Sequence, residues 1–413
     1  MRLSVMMFFQ YAIWGVWAPV LGRYLTGPMG FTGTETGLVY MTMAIASILA
    51  PLIAGQIADR YFPTQFYLAV VHLLGAGLLY LLARAEPNNF WKFFGLMMAY
   101  QLLYAPTVGL TNSLAFHHLP EGEKQFGPVR LWGAVAWILV GLAFGQWLKS
   151  QPREEQLVLV GQCLNWAAVI SLVNAVYCLT LPHTPPSQRP GNPFAFLDAL
   201  QLLREKSFLV LVLISFLVAT ELQFYYVFGG PFFGSLGFEE GTIPQILTLG
   251  QIVEVFVLAA LPWFVAKYGI KTTIVIGILA WPIRYGIFSI GQPWWLIVAS
   301  QGLHGLAYGF FFVGGQIYTD RVAGKDIRAS AQSLMVLATA GVGMLLSSLI
   351  AGPVVDAFST PSPTPGQPPI VNWHSVFLVP VAITVIGALV FLFGYREKTK
   401  EELDKEFGRS PSA

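Results

Sequence analysis

Stretches of roughly 20 mostly apolar residues recur along the whole chain, near residues 4–26, 36–56, 64–83, 91–116, 129–148, 158–181, 207–230, 243–266, 272–290, 294–318, 329–353 and 373–395. A helix rises about 1.5 Å per residue, so about 20 residues cross the ~30 Å hydrocarbon core of a bilayer. This pattern predicts an all-α membrane protein with twelve transmembrane helices. Strands of a membrane barrel need only about 10 residues and alternate apolar with polar, and these runs do neither. Charge agrees: 11% of the residues are charged, against about 25% in soluble proteins. Too few charges remain to cover a water-facing surface of this size.

The 23 Lys and Arg test the topology. With both termini cytoplasmic, 17 of them fall on the cytoplasmic side and 5 outside, while Arg284 sits within a span. That excess follows the positive-inside rule. Eleven or thirteen helices would scramble the alternation in one part of the chain. The apolar run from Leu3 to Leu25 reads as a retained first helix, not a cleaved signal. A net charge of +2 gives no reason to expect a nucleic-acid partner. Cys163 and Cys178 share one apolar stretch and form no metal spacing or disulfide framework.

The longest cytoplasmic connection, 182–206, carries Pro182, Pro185, Pro186, Pro190 and Pro193. It divides the chain into an N-terminal six-helix half, 1–181, and a C-terminal six-helix half, 207–395, followed by a cytoplasmic tail, 396–413. Six helices on each side of a polar linker suggest a two-half transporter with its substrate path between the halves. A second Pro-rich stretch, Ser359 to Pro369, reads as an outside loop. Between the second and third stretches stands Gly55-Gln-Ile-Ala-Asp59-Arg60, and Ala266 to Lys271 is its counterpart between the eighth and ninth. Asp59 and Arg60 read as a gating pair on the cytoplasmic face. Asp356, near a helix end, reads as a gating or capping group.

Polar side chains inside a membrane are costly, so each needs a partner or a function. In the fifth stretch Arg130, Ala134 and Trp137 fall at i, i+4 and i+7, on one helical face. Gln223 and Tyr226 share a face in the seventh, Gln251 and Glu254 in the eighth, and His304 and Tyr308 in the tenth. Amides that donate and accept at once, with aromatic faces beside them, suit a polar, uncharged ring compound bearing hydroxyls. The same groups could serve only as hydrogen bonds between helices. Glu254 stands apart. Desolvation disfavours a carboxylate at membrane depth, so such a group can take a proton from one side and yield it to the other. Its alternative is an ion pair with Arg130, Arg284 or His304. Arg284 itself reads as a structural partner of Glu254 or Glu221. No phosphate-binding Gly-x-x-x-x-Gly-Lys loop, zinc-protease helix or Ser–His–Asp set is present, so no enzyme is expected.

The chain resembles the bacterial nucleoside:proton symporters of the major facilitator superfamily over nearly its whole length. The resemblance rests on Gln10-Tyr-Ala-Ile-Trp14-Gly15, Pro106-Thr-Val-Gly-Leu-Thr-Asn112, Arg130-Leu-Trp-Gly133, Leu181-Pro-His183, Glu221-Leu-Gln223, Phe228-Gly229, Gln251-Ile-Val-Glu254, Tyr268-Gly-Ile-Lys271 and Ile327-Arg-Ala-Ser-Ala-Gln332. It implies nucleoside uptake driven by protons, the proton being the coupling ion and no other cofactor being needed. It also implies substrate contacts at Arg130, Trp137, Gln223, Gln251, Glu254, His304 and Tyr308, with Tyr226 at a further contact position. Four residues depart from the family pattern: Ala134 replaces Thr, Tyr226 replaces Asn, His304 replaces Tyr, and Gly309 replaces an Asp. The expected location is the bacterial inner membrane, as a monomer, with lipid and a nucleoside or similar polar solute as partners. The alternatives are a carrier for another polar solute, such as a sugar or nucleobase derivative, and an uncoupled nucleoside facilitator. A sensor built on a transporter fold is a further, different class.

Overall fold

In hydrocarbon no water can satisfy a backbone N–H or C=O, so apolar runs of this length close their hydrogen bonds internally as helices. The computed structural model describes residues 1–53, 61–120, 122–186, 194–323, 327–363, 368–398, 402–403 and 407. Among them, ten helical segments are long and apolar enough to cross a bilayer. Gly33–Ile53 adds a helix of 21 residues. The two stretches expected at 243–266 and 272–290 run together as Thr242–Ile290, broken in direction at Gly269 (φ 78°, ψ 164°). That backbone geometry is open to glycine and strained for other residues.

Several spans are interrupted. The first is two helices, Arg2–Trp17 and Leu21–Thr26, with Pro19 between them. The Tyr40 hydroxyl fills the gap, accepting from Gly22 N at 3.0 Å and donating to Ala18 O at 2.6 Å. The stretch expected at 207–230 consists of Lys206–Ala219, Leu222–Tyr226 and Gly229–Ser235. The tenth stretch, Trp294–Ala323, contains a π-helical turn at Tyr308–Val313, and Arg328–Ala357 contains another at Leu337–Gly343. Such turns, like broken spans, recur where membrane proteins bind ligands.

The sequence reading needs correction in two places. The Pro-rich stretch after Ser359 is not wholly a loop, because Ser359–Thr360 pairs antiparallel with Ile370–Val371. The linker contains a 3₁₀ helix, Ala195–Arg204, whose Ala199 and Leu202 are fully buried.

Helices before residue 181 pack mainly on one another, as do those after residue 206. The main contacts joining the sets are Gly33–Ile53 against Leu337–Gly343 and Met344–Ala357, Gly122–Lys149 against Thr242–Ile290, and Leu21–Thr26 against Gly229–Ser235. Gly352 makes the first possible. A Cβ built there would lie 2.8 Å from Thr34 Cα and 2.9 Å from the Gly33 carbonyl carbon.

Polar bonds between the sets gather at this same end. Arg23 grips Glu240 through Nε at 3.0 and 3.1 Å and Nη2 at 2.6 Å. Lys149 Nζ donates to Gln245 Oε1 at 2.7 Å, and Gln156 Nε2 to Glu239 Oε1 at 2.9 Å. Asp356 caps the helix Gly33–Ile53, accepting from Gly33 N at 2.6 Å and Thr34 N at 2.8 Å. The molecule is therefore closed at this end.

At the opposite end Glu205 caps Lys206–Ala219 from 0% exposure and pairs with Lys398 Nζ at 2.9 Å. Glu397 accepts from Ile270 N at 3.4 Å and Lys271 N at 3.1 Å, capping the helix that restarts after Gly269.

Candidate substrate cavity

A narrow cavity lies between the two helix sets, lined by Pro19, Trp137, Tyr225, Tyr226, Leu247 and Gln251. Pro19 marks the break in the first span, and Tyr225 and Tyr226 belong to the short helix between two further breaks. Broken helices meeting at a cavity leave backbone and side-chain polar groups free to face a solute.

Trp137 stands on the continuous helix Gly122–Lys149, edge-on to Trp14 at 5.2 Å between ring centroids. Seven residues earlier, on the same face, the Arg130 guanidinium lies 3.8 Å over the Tyr11 ring. That cation–π contact holds a charge at membrane depth without a direct carboxylate partner. Buried polar bonds support Tyr11 from behind. Gln10 donates to Thr107 Oγ1 at 2.7 Å, shares a 3.0 Å hydrogen bond with His72, and accepts at its carbonyl from Tyr104 at 2.7 Å.

Glu254 comes from the facing helix and interacts electrostatically with Arg130, as Tyr308 does with both. Glycines set this alignment. A Cβ at Gly305 would collide with the Glu254 backbone nitrogen, and one at Gly309 would meet Val257 Cγ1 at 2.8 Å. Tyr308 is 36% exposed, and His304 is buried with its ring 4.8 Å from that of Tyr225.

Spacing alone places Gln223 and Tyr226 on one face, but the structure separates them. Gln223 turns to a neighbouring helix, where its backbone nitrogen donates to Ser347 Oγ at 2.9 Å and its Nε2 to Ser348 Oγ at 3.2 Å. Tyr226 lines the cavity with Tyr225, which periodicity did not select. In the short helix Leu222–Tyr226 two consecutive tyrosines line the cavity, so a count of i, i+3 from Gln223 misses Tyr225. Pro19 and Leu247 were also missed; a proline inside an apolar run was the available signal for the first. Asp59 and Arg60 lie outside the described residues.

Some of the unpartnered polar atoms belong to residues that line or flank the cavity. Buried Glu221 Oε1, Gln223 Oε1, Gln251 Oε1, Arg284 Nε, Arg284 Nη1 and His304 Nδ1 have no hydrogen-bond partner among the described residues. Buried polar groups are nearly always satisfied, so unmatched donors and acceptors beside aromatic faces mark a polar-ligand site.

A family model described as "Nucleoside H+ symporter" matches residues 1–400. The putative nucleoside transporter YegT of Escherichia coli (strain K12) is 36% identical over 97% of this chain and 94% of its own length. The xanthosine permease of the same organism is 30% identical over 96% of each chain. The solved structure of the nucleoside transporter NupG superposes with a TM-score of 0.82 at 28% identity, covering 96% of this chain and 99% of that one. The helices therefore take the fold of major facilitator transporters. With apolar spans throughout and a match over nearly its full length, the chain belongs to the nucleoside H+ symporter family, multi-pass transporters of the bacterial inner membrane.

Proposed function

We propose that this protein carries nucleosides inward with protons by rocking two six-helix halves, 1–181 and 207–395, about the cavity at Trp137, Tyr225, Tyr226 and Gln251. The observation that carries the reading is the cavity itself: aromatic faces and the unpartnered amide oxygen of Gln251 where helices of both sets meet. Aromatic rings stack on a base, and amides pair with base edges or ribose hydroxyls.

Twelve membrane crossings follow if Gly33–Ile53 spans and Thr242–Ile290 is counted as two. Its 49 residues would otherwise reach about 70 Å, more than twice the hydrocarbon thickness. Both termini then lie in the cytoplasm, the linker 182–206 and tail 396–413 lie on that face, and the closed end faces outward. The structure is accordingly the inward-facing partner of an outward-facing state.

In this cycle Glu254 is the coupling group. Protonated from outside, it lies neutral beside Arg130 while the solute loads; deprotonated toward the cytoplasm, it favours return. Arg130, Trp137, Gln251, His304 and Tyr308 contact the solute with Tyr226, and Gln223 supports them. Asp59 and Arg60 gate the cytoplasmic face.

Uptake of labelled uridine and adenosine into vesicles holding the purified protein tests this reading. Accumulation is expected only under an inward proton gradient. Equilibration without accumulation would retain the nucleoside site and remove the coupling, and no uptake by folded protein would move the substrate outside nucleosides. In the same assay Trp137→Ala removes one stacking face worth about 1–1.5 kcal/mol, so the half-saturating concentration is expected to rise about tenfold. A value within twofold of wild type would place Trp137 away from the solute.

A further inference from the structure

Arg284 is 1% exposed, and two of its guanidinium nitrogens, Nε and Nη1, have no hydrogen-bond partner among the described residues. Its Nη2 donates to the Tyr285 hydroxyl at 3.4 Å, and that hydroxyl donates to Glu221 Oε2. Glu221 is 0% exposed, and its second oxygen, Oε1, is also unpartnered. The pair is therefore bridged by a phenol, with donors and an acceptor to spare, and is not a closed salt bridge. A buried pair kept only for cohesion gains most when every proton and lone pair is matched. This one is not matched.

Its position supplies a use. The Arg284 guanidinium lies 4.2 Å over the ring of Tyr225, which lines the solute cavity and donates to Gln301 Oε1 at 2.9 Å. A continuous line of contacts thus runs from cavity to Tyr225, Arg284, Tyr285 and Glu221. Glu221 itself sits at the break that begins the short helix Leu222–Tyr226. A shift of that helix on loading therefore moves the cavity wall and the carboxylate together.

The other groups around Glu221 are few. Thr242–Ile290 brings Arg284 and Tyr285, and Gly302–Ala307 brings His304, which interacts electrostatically with Arg284. Met344–Ala357 offers the hydroxyls of Ser347 and Ser348 to adjacent Gln223, and Trp373–Gly394 lays Phe377 against the Tyr285 ring at 5.9 Å. Among the described residues Arg284 is the charged group that acts on Glu221, against the cost of its burial.

We propose that Glu221 is a second proton-carrying site of the transport cycle, linked to the solute cavity through Tyr285, Arg284 and Tyr225. When the loaded cavity draws Arg284 toward Tyr225, Glu221 loses its compensating charge and binds at Oε1 a proton taken from the outer side. When the solute leaves, Arg284 returns and the proton departs as H⁺ to the cytoplasm. The proposal rests on the proton-coupled reading above and adds a second proton to it.

Coupling stoichiometry tests it on the intact protein. In vesicles with a pH gradient of about one unit and no membrane potential, each coupled proton supports about tenfold accumulation of labelled nucleoside. Uridine or adenosine is used, whichever enters faster. Wild type is expected to approach about 100-fold and Glu221→Gln about tenfold, with counterflow exchange retained in the variant. Glu221→Asp, which keeps an acid, is expected to keep the wild-type limit. A wild-type limit of about tenfold overturns the proposal without any variant, as does an unchanged limit in folded Glu221→Gln; in both cases the Glu254 reading stands. Parallel loss of exchange and accumulation in Glu221→Gln, with Glu221→Asp equally impaired, makes the cluster structural and also overturns it. A wild type that never accumulates fails at the coupling reading itself, and the second proton falls with it.

Discussion

Vesicles holding Glu254→Gln protein are expected to lose the share of nucleoside accumulation that the Glu254 proton drives, whatever proton gradient is imposed. The amide keeps the size and much of the hydrogen bonding of the carboxyl but cannot exchange a proton. Arg130, resting 3.8 Å over Tyr11, then faces a neutral neighbour through the whole cycle. The loss is large because the driving force is large. A proton crossing about 150 mV gains roughly 3.5 kcal/mol, enough for accumulation of a few hundredfold at about 1.4 kcal/mol per tenfold. Removal of the coupling group sets that factor to about one, while counterflow exchange, which needs no net proton movement, persists. The measurement is steady-state accumulation beside counterflow rate in one preparation. An accumulation limit unchanged from wild type in Glu254→Gln would remove Glu254 from the coupling route.

A second large effect is expected at the closed end. Gly352 lies against Gly33 and Thr34 so closely that any side chain meets backbone, and backbone on both sides belongs to helices that cannot yield locally. Gly352→Val should therefore penalise the state with this end closed by about 3 kcal/mol, the upper part of the range for overpacking. That corresponds to a roughly 100-fold fall in its population and a comparable fall in uptake rate. A cysteine reporter separates this from misfolding. Cys163 and Cys178 are buried, so Leu247→Cys in the cavity wall would be the reactive thiol for an impermeant maleimide added outside. Labelling is expected to rise in the Gly352→Val background as uptake falls. Uptake within twofold of wild type would mean that the helices do not need this approach.

The spans were readable because hydrocarbon imposes a length on every crossing, and a length survives in sequence whatever the side chains do. The turn at Gly269 was readable too, since the small residue and flanking Lys267 and Lys271 interrupt the apolar run. Trp137 could be placed because its helix is continuous and its phase holds from Arg130 onward. Tyr225 could not. Its helix is five residues long, too short for periodicity to say which side meets the cavity. The same holds for Arg284, whose partner is decided by how one helix rotates against another, not by spacing along either. The Gln10–Thr107 and Gln10–His72 bonds join residues 97 and 62 positions apart, a distance that pattern reading along the chain does not bridge.

The caps supplied by Glu397 and Lys398 have a consequence for how the chain is made. Glu397 holds the start of the helix after Gly269, and Lys398 holds the Glu205 carboxylate that starts the helix at Lys206. Both helices are synthesised well before residues 397 and 398 leave the ribosome. Until then one helix start lacks its cap and the other's capping carboxylate lacks its counter-charge, on the cytoplasmic face of the proposed topology. Insertion into the membrane can proceed helix by helix, but locking of the later helices waits for the last turn of chain to be delivered.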